Sequence, residues 1–438
     1  MSDSSGNLFR DAALASGLVA ESDLTAAEAV LAAVRPGIAE NDEQVGRRLA
    51  DQLVKMGLLN DWQASQLQAG RTRFHLGPYR VVDSLGQGGM GQVFKAEHTL
   101  MGRIVAIKVL PRSKSTPEAI ASFQREIRAQ AQLDHENLVR ALDAGHDGNV
   151  HFLVTEFVNG IDLRKLVRRG GRLSMHAAAW IITQAARGLE HAHAKRMIHR
   201  DVKPGNLLVS TDGHVKVSDL GLVGFLESAG VSDPTMKKVV GTADYLSPEQ
   251  ITSPADITHT SDIYSLGCTL YYALTGKVPF PGGTSRDKAR AHTQLQPLDP
   301  RRLNPQLSAE LVDVIADMMV KDPRARIQSA RDCIDRLAPW CGVDHRAVIA
   351  EIAAAIEPGV VDTAAASLEA SSSSSQVSQG TLPDPTASQD TLPALEAPPR
   401  RVGTTLVRRA RGVVRGAVAR VVGWFARPDV DRRDGPPG

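Results

Sequence analysis

The sequence predicts an α+β fold in which a β-rich part precedes an α-rich part. From Tyr79 onward, short Val- and Ile-rich strands alternate with glycine turns, and longer helical stretches follow as far as about Ala338. Strands and helices that are separated along the chain in this way are typical of α+β domains. We therefore expect a bilobal domain over residues 79–338, with a β-rich amino-terminal lobe and an α-helical carboxy-terminal lobe.

Composition and charge exclude several classes of protein. The 438 residues leave room for two or three domains. The 51 Lys and Arg nearly balance the 49 Asp and Glu, which argues against a globally basic nucleic-acid-binding protein. The low, odd number of cysteines, three, argues against a disulfide scaffold, and the lack of a CxxC pair argues against a zinc site. No apolar run approaches the ~18 residues of a membrane span, and the first residues lack the pattern of a signal peptide. We expect a reduced, cytoplasmic protein.

The first 75 residues predict a small helical module. A helix capped by Ser22 or Asp23 is expected to run through the alanine-rich stretch and to end near Pro36. A second helix is expected over 42–56, and a short third helix from Asp61. We interpret this module as an appendage that packs on the domain or binds a partner.

The residues after the domain divide into four segments. Residues 339–357 predict a helical extension. Residues 358–399 are rich in Ser and Pro, hold five acidic residues and no Lys or Arg, and predict a disordered linker. Residues 400–427 contain eight arginines and no acidic residue, and their apolar residues recur with a period near 3.6, which predicts a basic amphipathic helix. A disordered tail, 428–438, is expected to end the sequence.

The basic helix and the linker each suggest a partner. The arginines of 400–427 and its Trp424-Phe425 pair suit an anionic membrane surface, which would make the protein peripheral at the inner membrane. An acidic protein segment, the linker included, and nonspecific contact with nucleic acid remain alternatives, and no specific nucleic acid is expected. In the linker, SQGTLP recurs as SQDTLP, so Thr381 and Thr391 are hypothetical sites for a phosphothreonine-reading partner; a plain spacer is the alternative.

The first chemical motif is the glycine-rich stretch GQGGMGQV. Gly86, Gly88 and Gly91 fit GxGxxG, and such glycines let backbone N–H groups approach phosphates. A dinucleotide-binding fingerprint would continue into a helix. Here the alternating sequence QVFKAEH follows, which predicts a second strand and therefore a hairpin flap over phosphates.

A lysine in the next strand forms the second element. Lys108 lies within VAIKVL and could reach phosphate oxygens, but a buried lysine needs a carboxylate partner. Thr116-Pro117-Glu118 predicts the start of a helix. Glu126 lies inside that helix and is the expected partner of Lys108, whereas Glu118 lies too near the helix start.

The third motif, IHRDVKPGNLLV, combines acid–base and metal-binding residues. Asp201 can accept the proton of an attacking hydroxyl, and Lys203 can neutralise a moving phosphoryl group. Asn206 and Asp219, the latter at the end of VKVSD, offer the hard oxygen ligands that magnesium prefers.

In these motifs and their order, Tyr79–Ala338 resembles a bacterial, eukaryotic-like (Hanks-type) serine/threonine protein kinase. The resemblance implies transfer of the ATP γ-phosphoryl group to Ser and Thr hydroxyls of proteins, autophosphorylation and a role in intracellular signalling. It implies Mg²⁺, or Mn²⁺ in its place, at Asn206 and Asp219. Its catalytic residues would be Asp201, Lys203, Lys108 and Glu126. The implied ATP site comprises Leu85, Gly86, Gln87, Gly88, Gly89, Met90, Gly91, Val93, Ala106, Lys108 and the hinge residues Thr155, Glu156 and Val158.

The resemblance also implies structural and regulatory residues. Glu249 of Ser247-Pro248-Glu249 would pair with Arg326, and Asp262 would brace the catalytic loop. Thr242 fits a Ser/Thr-specific pattern. Arg200 would meet a phosphorylated loop, for which Thr235 is the preferred acceptor, with Ser228 and Ser232 as alternatives.

Two departures and two alternative classes complete the interpretation. Asp219-Leu220-Gly221 replaces Asp-Phe-Gly, and Ser247 replaces an alanine. A pseudokinase would lack a catalytic residue, and none is missing. A small-molecule kinase would generally lack the Ser-Pro-Glu element.

Overall fold

The structure, a computed structural model, describes residues 8–34, 42–88, 91–110, 116–220, 243–342 and 345–356. The strand-forming segments expected after Tyr79, joined by a short strand before Tyr79 that was not expected, build a six-stranded antiparallel sheet in the spatial order β1-β2-β3-β4-β6-β5. Its strands are β1 (His75–Leu76), β2 (Tyr79–Gly88), β3 (Gly91–His98), β4 (Ile104–Val109), β5 (Ala141–Asp147) and β6 (Val150–Glu156).

The outer face of this sheet is covered by the amino-terminal helices α1 (Leu8–Ser16), α2 (Glu21–Val34), α3 (Asp42–Lys55) and α4 (Asp61–Gln68). Apolar side chains of β4 that point to this face, such as Ile107, share one buried core with helix residues such as Leu53 and Leu67. Trp62 of α4 lies 6.0 Å from the Phe94 ring of β3, measured between centroids. The helical module and the sheet therefore bury a common apolar surface.

The helical module differs in detail from the prediction. Helix α1 was not expected, because its short run of apolar residues gives a weak periodic signal. Helix α2 begins at Glu21, before the predicted caps Ser22 and Asp23. Helix α4 begins at Asp61 as expected, and its cap is Asn60, which forms a capping box with Gln63.

The opposite face of the sheet carries α5 (Pro117–Gln130), which packs Phe123 against Leu153 of β6. The segment after α5 is bonded to the carboxy-terminal lobe. The Asn137 side-chain amide donates to the Val215 carbonyl (2.9 Å), and the Val139 and Val217 backbones are hydrogen-bonded. This segment fixes one contact between the lobes.

The carboxy-terminal lobe is built around two buried helices, α7 (Met175–Ala194) and α9 (His259–Thr275). Nearly every residue of α9 is buried, as expected of a helix surrounded by other elements. The remaining elements are β7 (Gly160–Asp162), α6 (Leu163–Gly170), β8 (Leu207–Ser210), β9 (Val215–Val217), α8 (Pro248–Thr252), α10 (Ser285–Gln294), α11 (Ala309–Met318), α12 (Ala330–Cys341) and α13 (His345–Ile356).

Helix α13 lies within the predicted helical extension and packs on α6 and α7. Val348 and Ile352 are buried in the core of the lobe, and Glu351 accepts hydrogen bonds from the backbone and hydroxyl of Ser174 (2.9 and 2.6 Å). The extension is therefore part of the lobe.

The predicted α+β fold with a β-rich lobe followed by a helical lobe is confirmed. The linker 358–399, the basic helix 400–427 and the tail 428–438 lie outside the described residues. Within the part of the chain that the structure describes, no helix is both long and apolar enough to cross a bilayer.

Candidate active site

The inner face of the amino-terminal sheet presents a row of predicted ATP-site residues. Val93 pairs with Lys108 across β3 and β4, and Ala106 pairs with Thr155 across β4 and β6. Directly opposed residues share a face, so these four side chains lie on the same side of the sheet. The alternating residues of β4 are buried on the other side. The strand pattern therefore separates a packing face from a face that borders the cleft.

The hairpin predicted around the glycines is present, with Gly88 opposite Gly91 at its end. Gly86 and Gly91 have φ angles of 157° and 148°, a range that side-chain-bearing residues rarely adopt. Leu85 is exposed at the start of this segment. Gly89, Met90 and the side chain of Gln87 lie outside the described residues.

Lys108 forms an ion pair with Asp219, at 2.6 Å between Nζ and Oδ1. Burial acts to raise the pKa of the Asp219 carboxyl, but the neighbouring basic groups, Lys108 foremost, together outweigh it and hold that pKa below its usual value. Glu126 belongs to α5, but its side chain lies outside the described residues. The expected pair of Lys108 with Glu126 therefore stays a prediction.

Asp201, Lys203 and Asn206 converge in the loop before β8. Lys203 Nζ lies 2.6 Å from Asp201 Oδ2. The Asn206 side-chain amide donates to the Asp201 carbonyl (2.8 Å) and to Asp201 Oδ2 (3.2 Å). These bonds span the bend at Pro204, where a 3₁₀ turn (Pro204–Asn206) folds the loop back. The Asp201 carboxylate is buried against its own loop.

The two expected metal ligands belong to neighbouring segments. The backbone N–H of Ser218, the residue before Asp219, donates to the Asn206 carbonyl at 2.9 Å. One amide and one carboxylate from adjacent chain segments form a donor set of hard oxygens, which fits Mg²⁺ or Mn²⁺. The structure thus brings five predicted residues into one connected group, the cleft cluster: Lys108, Asp201, Lys203, Asn206 and Asp219.

A buried aspartate from α9 holds the backbone of the loop. The Asp262 carboxylate accepts hydrogen bonds from the backbone N–H groups of His199 and Arg200, both at 2.8 Å, and from the His193 ring at 2.8 Å. Burial acts to raise the pKa of Asp262, but the hydrogen bond and charge of His193 oppose it and keep the pKa below its usual value. Arg200 has a φ angle of 66°, so the loop is held in a strained conformation.

Glu249 and Arg326 form a buried bidentate pair, with distances of 2.7 and 3.0 Å. Ser261 also donates to Glu249. Burial acts to raise the pKa of Glu249, but the Arg326 guanidinium holds it below its usual value. This pair ties α8 to the segment that precedes α12.

The hinge residues follow the end of β6. The Glu156 carboxylate is engaged by Lys216 Nζ and by the Arg140 backbone, both at 2.8 Å. A ligand at this edge would therefore meet hinge backbone groups rather than a free carboxylate, and Val158 lies half-buried beside them. Thr235 and Thr242 lie outside the described residues.

Sequence reasoning missed three residues that hold the cleft cluster and its loop. His193 and His199 surround Asp262 and Asp201, and Gln250 donates to the Arg200 carbonyl at 2.7 Å. His199 was visible in IHRD, and Gln250 in the Ser-x-x-Gln capping signal at Ser247. Nothing near His193 in the sequence indicates its bond to a residue 69 positions away.

Comparison with known proteins agrees with this geometry. The family model for the protein kinase domain matches residues 79–337. Over 262 residues the chain is 37% identical to a probable serine/threonine-protein kinase of Clostridium acetobutylicum. The aligned residues are 59% of this chain and 39% of that protein.

Two further relatives have similar coverage of this chain. Serine/threonine-protein kinase PknA of Mycobacterium tuberculosis is 38% identical over 268 residues, 60% of this chain and 61% of PknA. Serine/threonine-protein kinase PrkC of Bacillus subtilis is 35% identical over 257 residues, 58% of this chain and 39% of PrkC. The chain thus spans less than two thirds of the length of each of these relatives.

Proposed function

The chain belongs to the protein kinase domain family, and from this premise we propose that it transfers the γ-phosphoryl group of ATP to Ser and Thr hydroxyls of proteins. The observation that carries the proposal is the cleft cluster, in which the Lys108–Asp219 ion pair lies next to the Asp201–Lys203–Asn206 loop. The names of the relatives support the choice of Ser and Thr as acceptors.

The proposed reaction assigns a role to each member of the cleft cluster. The acceptor oxygen attacks the γ-phosphorus while the bond from that phosphorus to the β–γ bridging oxygen breaks, so ADP leaves. Asp201 takes the acceptor proton, and Lys203 stabilises the charge on the transferred group. Lys108 would contact the α- and β-phosphates. The protein supplies position and electrostatic stabilisation more than covalent chemistry.

The nucleotide and metal sites follow from the same arrangement. We propose that ATP lies between the glycine hairpin and the hinge, with adenine bonded to the backbone near Glu156 and Val158. Asn206 and Asp219 would hold Mg²⁺, or Mn²⁺, which when bound neutralises phosphate charge. The Asn206 amide and the Asp219 carboxylate both offer oxygen atoms, which are the ligands that Mg²⁺ prefers, and this supports the metal assignment.

The test is transfer of labelled phosphate from ATP with Mg²⁺ to a generic Ser/Thr acceptor. Asp201→Asn is expected to lower the rate by about 10²-fold or more, because the general base is lost. Asp317→Asn, an exposed aspartate on α11, is the matched control and should retain the wild-type rate. Equal rates for the wild type and Asp201→Asn would contradict the proposed role of Asp201, and absence of transfer by the wild type would contradict the function.

Further proposals rest on residues outside the described ranges. We propose that Thr235 is autophosphorylated and that its phosphate contacts Arg200; mass spectrometry of fully active enzyme with no loop phosphate would contradict this.

We propose that 400–427 binds anionic membrane surfaces, for which vesicle co-sedimentation of the full chain is the test. We also propose Thr381 and Thr391 as docking sites for a phosphothreonine-reading partner, to be checked by phosphopeptide mapping after autophosphorylation.

A further inference from the structure

Helix α6 exposes a cluster of positive side chains next to the cleft. Its buried face is formed by Leu163, Leu166 and Val167. Three cations that alternate with this face are exposed; we call them the basic face of α6: Arg164, Lys165 and Arg168. Arg168 lies four positions after Arg164 and three after Lys165, and side chains at these spacings are neighbours on a helix surface.

The positive charge of the basic face is only partly compensated. Asp162, the cap of α6, lies 3.4 Å from Lys165 Nζ and 3.9 Å from Arg164 Nε. Among the residues that the structure describes, no other carboxylate forms an ion pair with these three cations. A surface with excess positive charge of this kind attracts and orients anionic groups.

The neighbouring arginines on the same stretch are already engaged. Arg169 donates to the Ile356 carbonyl at 3.3 Å, and Arg172 donates to the Leu303 carbonyl at 3.0 Å. These two side chains hold other parts of the lobe in place. Arg168 of the basic face also forms a hydrogen bond with the Tyr272 hydroxyl, so Arg164 and Lys165 carry the less engaged charge of that face.

The helix that carries the basic face lies beside the catalytic loop. Helix α6 packs directly on the 3₁₀ turn Pro204–Asn206 of the catalytic loop. Burial raises the pKa of the Tyr245 hydroxyl, and the charge of Arg164 opposes that rise, so Arg164 lies within electrostatic range of the segment just before Ser247. Burial likewise raises the pKa of Tyr272, and Arg168 and Arg164 oppose it.

We propose that the preferred acceptors are protein segments with acidic side chains close to the phosphorylated Ser or Thr, and that the basic face of α6 binds those side chains. The inference rests on the proposed function, because it names the substrate class of the same cleft. Charge complementarity of this kind improves encounter and register. A segment of this chemistry occurs in the chain itself, since Thr391 directly follows Asp390, whereas the repeat partner Thr381 follows Gly380.

The first experiment measures kcat/KM of the full chain on short threonine peptides. In one panel a single Asp, Ala or Lys is moved through the positions flanking the acceptor. A second, matched pair is built on SQGTLP and SQDTLP with the serine replaced by alanine, so that the peptides differ only as Gly380 and Asp390 differ. At one or more flanking positions Asp should be preferred to Lys by about fivefold, mainly through KM, and the preference should fall in high salt.

The second experiment assigns the preference to α6. In the double variant Arg164→Gln/Lys165→Gln, the ratio of kcat/KM for the acidic peptide to kcat/KM for the neutral peptide should approach one. Arg331→Gln, an exposed arginine of α12 that pairs with Asp335, is the control and should keep the wild-type ratio. Equal use of Asp and Lys peptides at every position would overturn the inference while leaving the kinase function intact. An unchanged ratio in the double variant would also overturn it. Absence of transfer to every peptide, with no autophosphorylation, would instead contradict the proposed function.

Discussion

Two residues of the active site adopt left-handed backbone conformations that only glycine takes up without strain. Arg200 has φ of 66° and Asp219 has φ of 59°. Such residues cost of order 1 kcal/mol or more and persist only where the surroundings hold them. Asp262 compensates Arg200 by accepting its N–H, and the bond of Lys108 to Asp219 holds the second position. The backbone at these two positions is therefore held by side chains of elements that are distant in sequence.

The buried Glu249–Arg326 pair leads to a prediction about stability. Arg326→Ala should lower the free energy of unfolding by about 3–5 kcal/mol, because it leaves the Glu249 carboxylate buried without its cation. Urea denaturation would measure this loss. Arg336→Ala, which removes an exposed pair with Asp317, should cost less than ~1 kcal/mol. Similar losses in the two variants would contradict the importance of burial.

A buried histidine leads to a prediction about pH. Burial lowers the pKa of His292 to about 4, and the nearby Lys321 adds to the effect. The unfolded chain binds this proton near pH 6.5, so it carries more protons than the folded chain between pH 6.5 and 4. Stability should therefore fall as pH falls through that window, by about 2 kcal/mol between pH 7 and 5 from His292 alone.

The comparison that checks this is the pH dependence of unfolding in His292→Asn. Asparagine keeps a polar group near the Tyr264 hydroxyl, which lies 3.0 Å from His292 Nδ1. In the variant, the free energy of unfolding should depend less steeply on pH, because the His292 contribution is lost. His75→Asn removes an exposed histidine and should keep the wild-type slope. If the free energy of unfolding changed with pH in the same way in the wild type and in His292→Asn, His292 would not be the cause of the pH dependence.

Among the elements, α13 is the one whose role the sequence indicated least. It follows the last helix of the matched family region, yet it packs into the lobe through Val348 and Ile352. The backbone of Gly170 approaches it so closely that an added Cβ would lie 2.6 Å from Ala355 Cβ. The glycine at this point allows α13 to pack directly on the end of α6.

Removing one buried side chain of α13 tests this packing. Ile352→Ala should lower the free energy of unfolding by about 2–4 kcal/mol, because it leaves a cavity in the lobe. Ala350→Gln, at an exposed position of the same helix, should change it by less than ~0.5 kcal/mol. If thermal and urea unfolding were the same in Ile352→Ala and the control, α13 would contribute nothing to the lobe.

In the whole molecule, the helical module and the amino-terminal sheet share one core. The Trp62 ring lies 5.9 Å from Phe74 and 6.0 Å from Phe94, between centroids, and the Asn60 side chain donates to the Val82 carbonyl at 2.8 Å. The sheet face opposite the cleft is thereby shielded from water. We expect the module and the sheet to unfold together.

A double-mutant cycle measures the coupling across this boundary. Trp62→Leu and Phe94→Leu should each destabilise the protein, and the double variant should lose about 1 kcal/mol less than the sum, because the aromatic contact is removed only once. Trp62→Leu combined with Trp340→Leu on α12 is the control pair, which should be additive. Additivity of Trp62 and Phe94 would contradict a shared core.

Features that depend on neighbours in sequence could be predicted. The alternation in VAIKVL, the start of α5 at Pro117 and the glycine hairpin follow from local backbone preferences and side-chain spacing. The candidate catalytic residues were also recognisable, because they occur in short motifs with fixed order. Those motifs indicated the type of chemistry and the order of the two lobes.

Features that depend on contacts between distant residues needed the tertiary structure. The bonds from Asp262 to the catalytic loop, the packing of α13 on Gly170 and the shared core of the helical module join residues far apart in sequence. The basic face of α6 was likewise only a run of basic residues until the packing of α6 on Pro204–Asn206 was known. Local spacing sets which face of an element is apolar, whereas burial and charge partners are set by what the complete fold brings against that face.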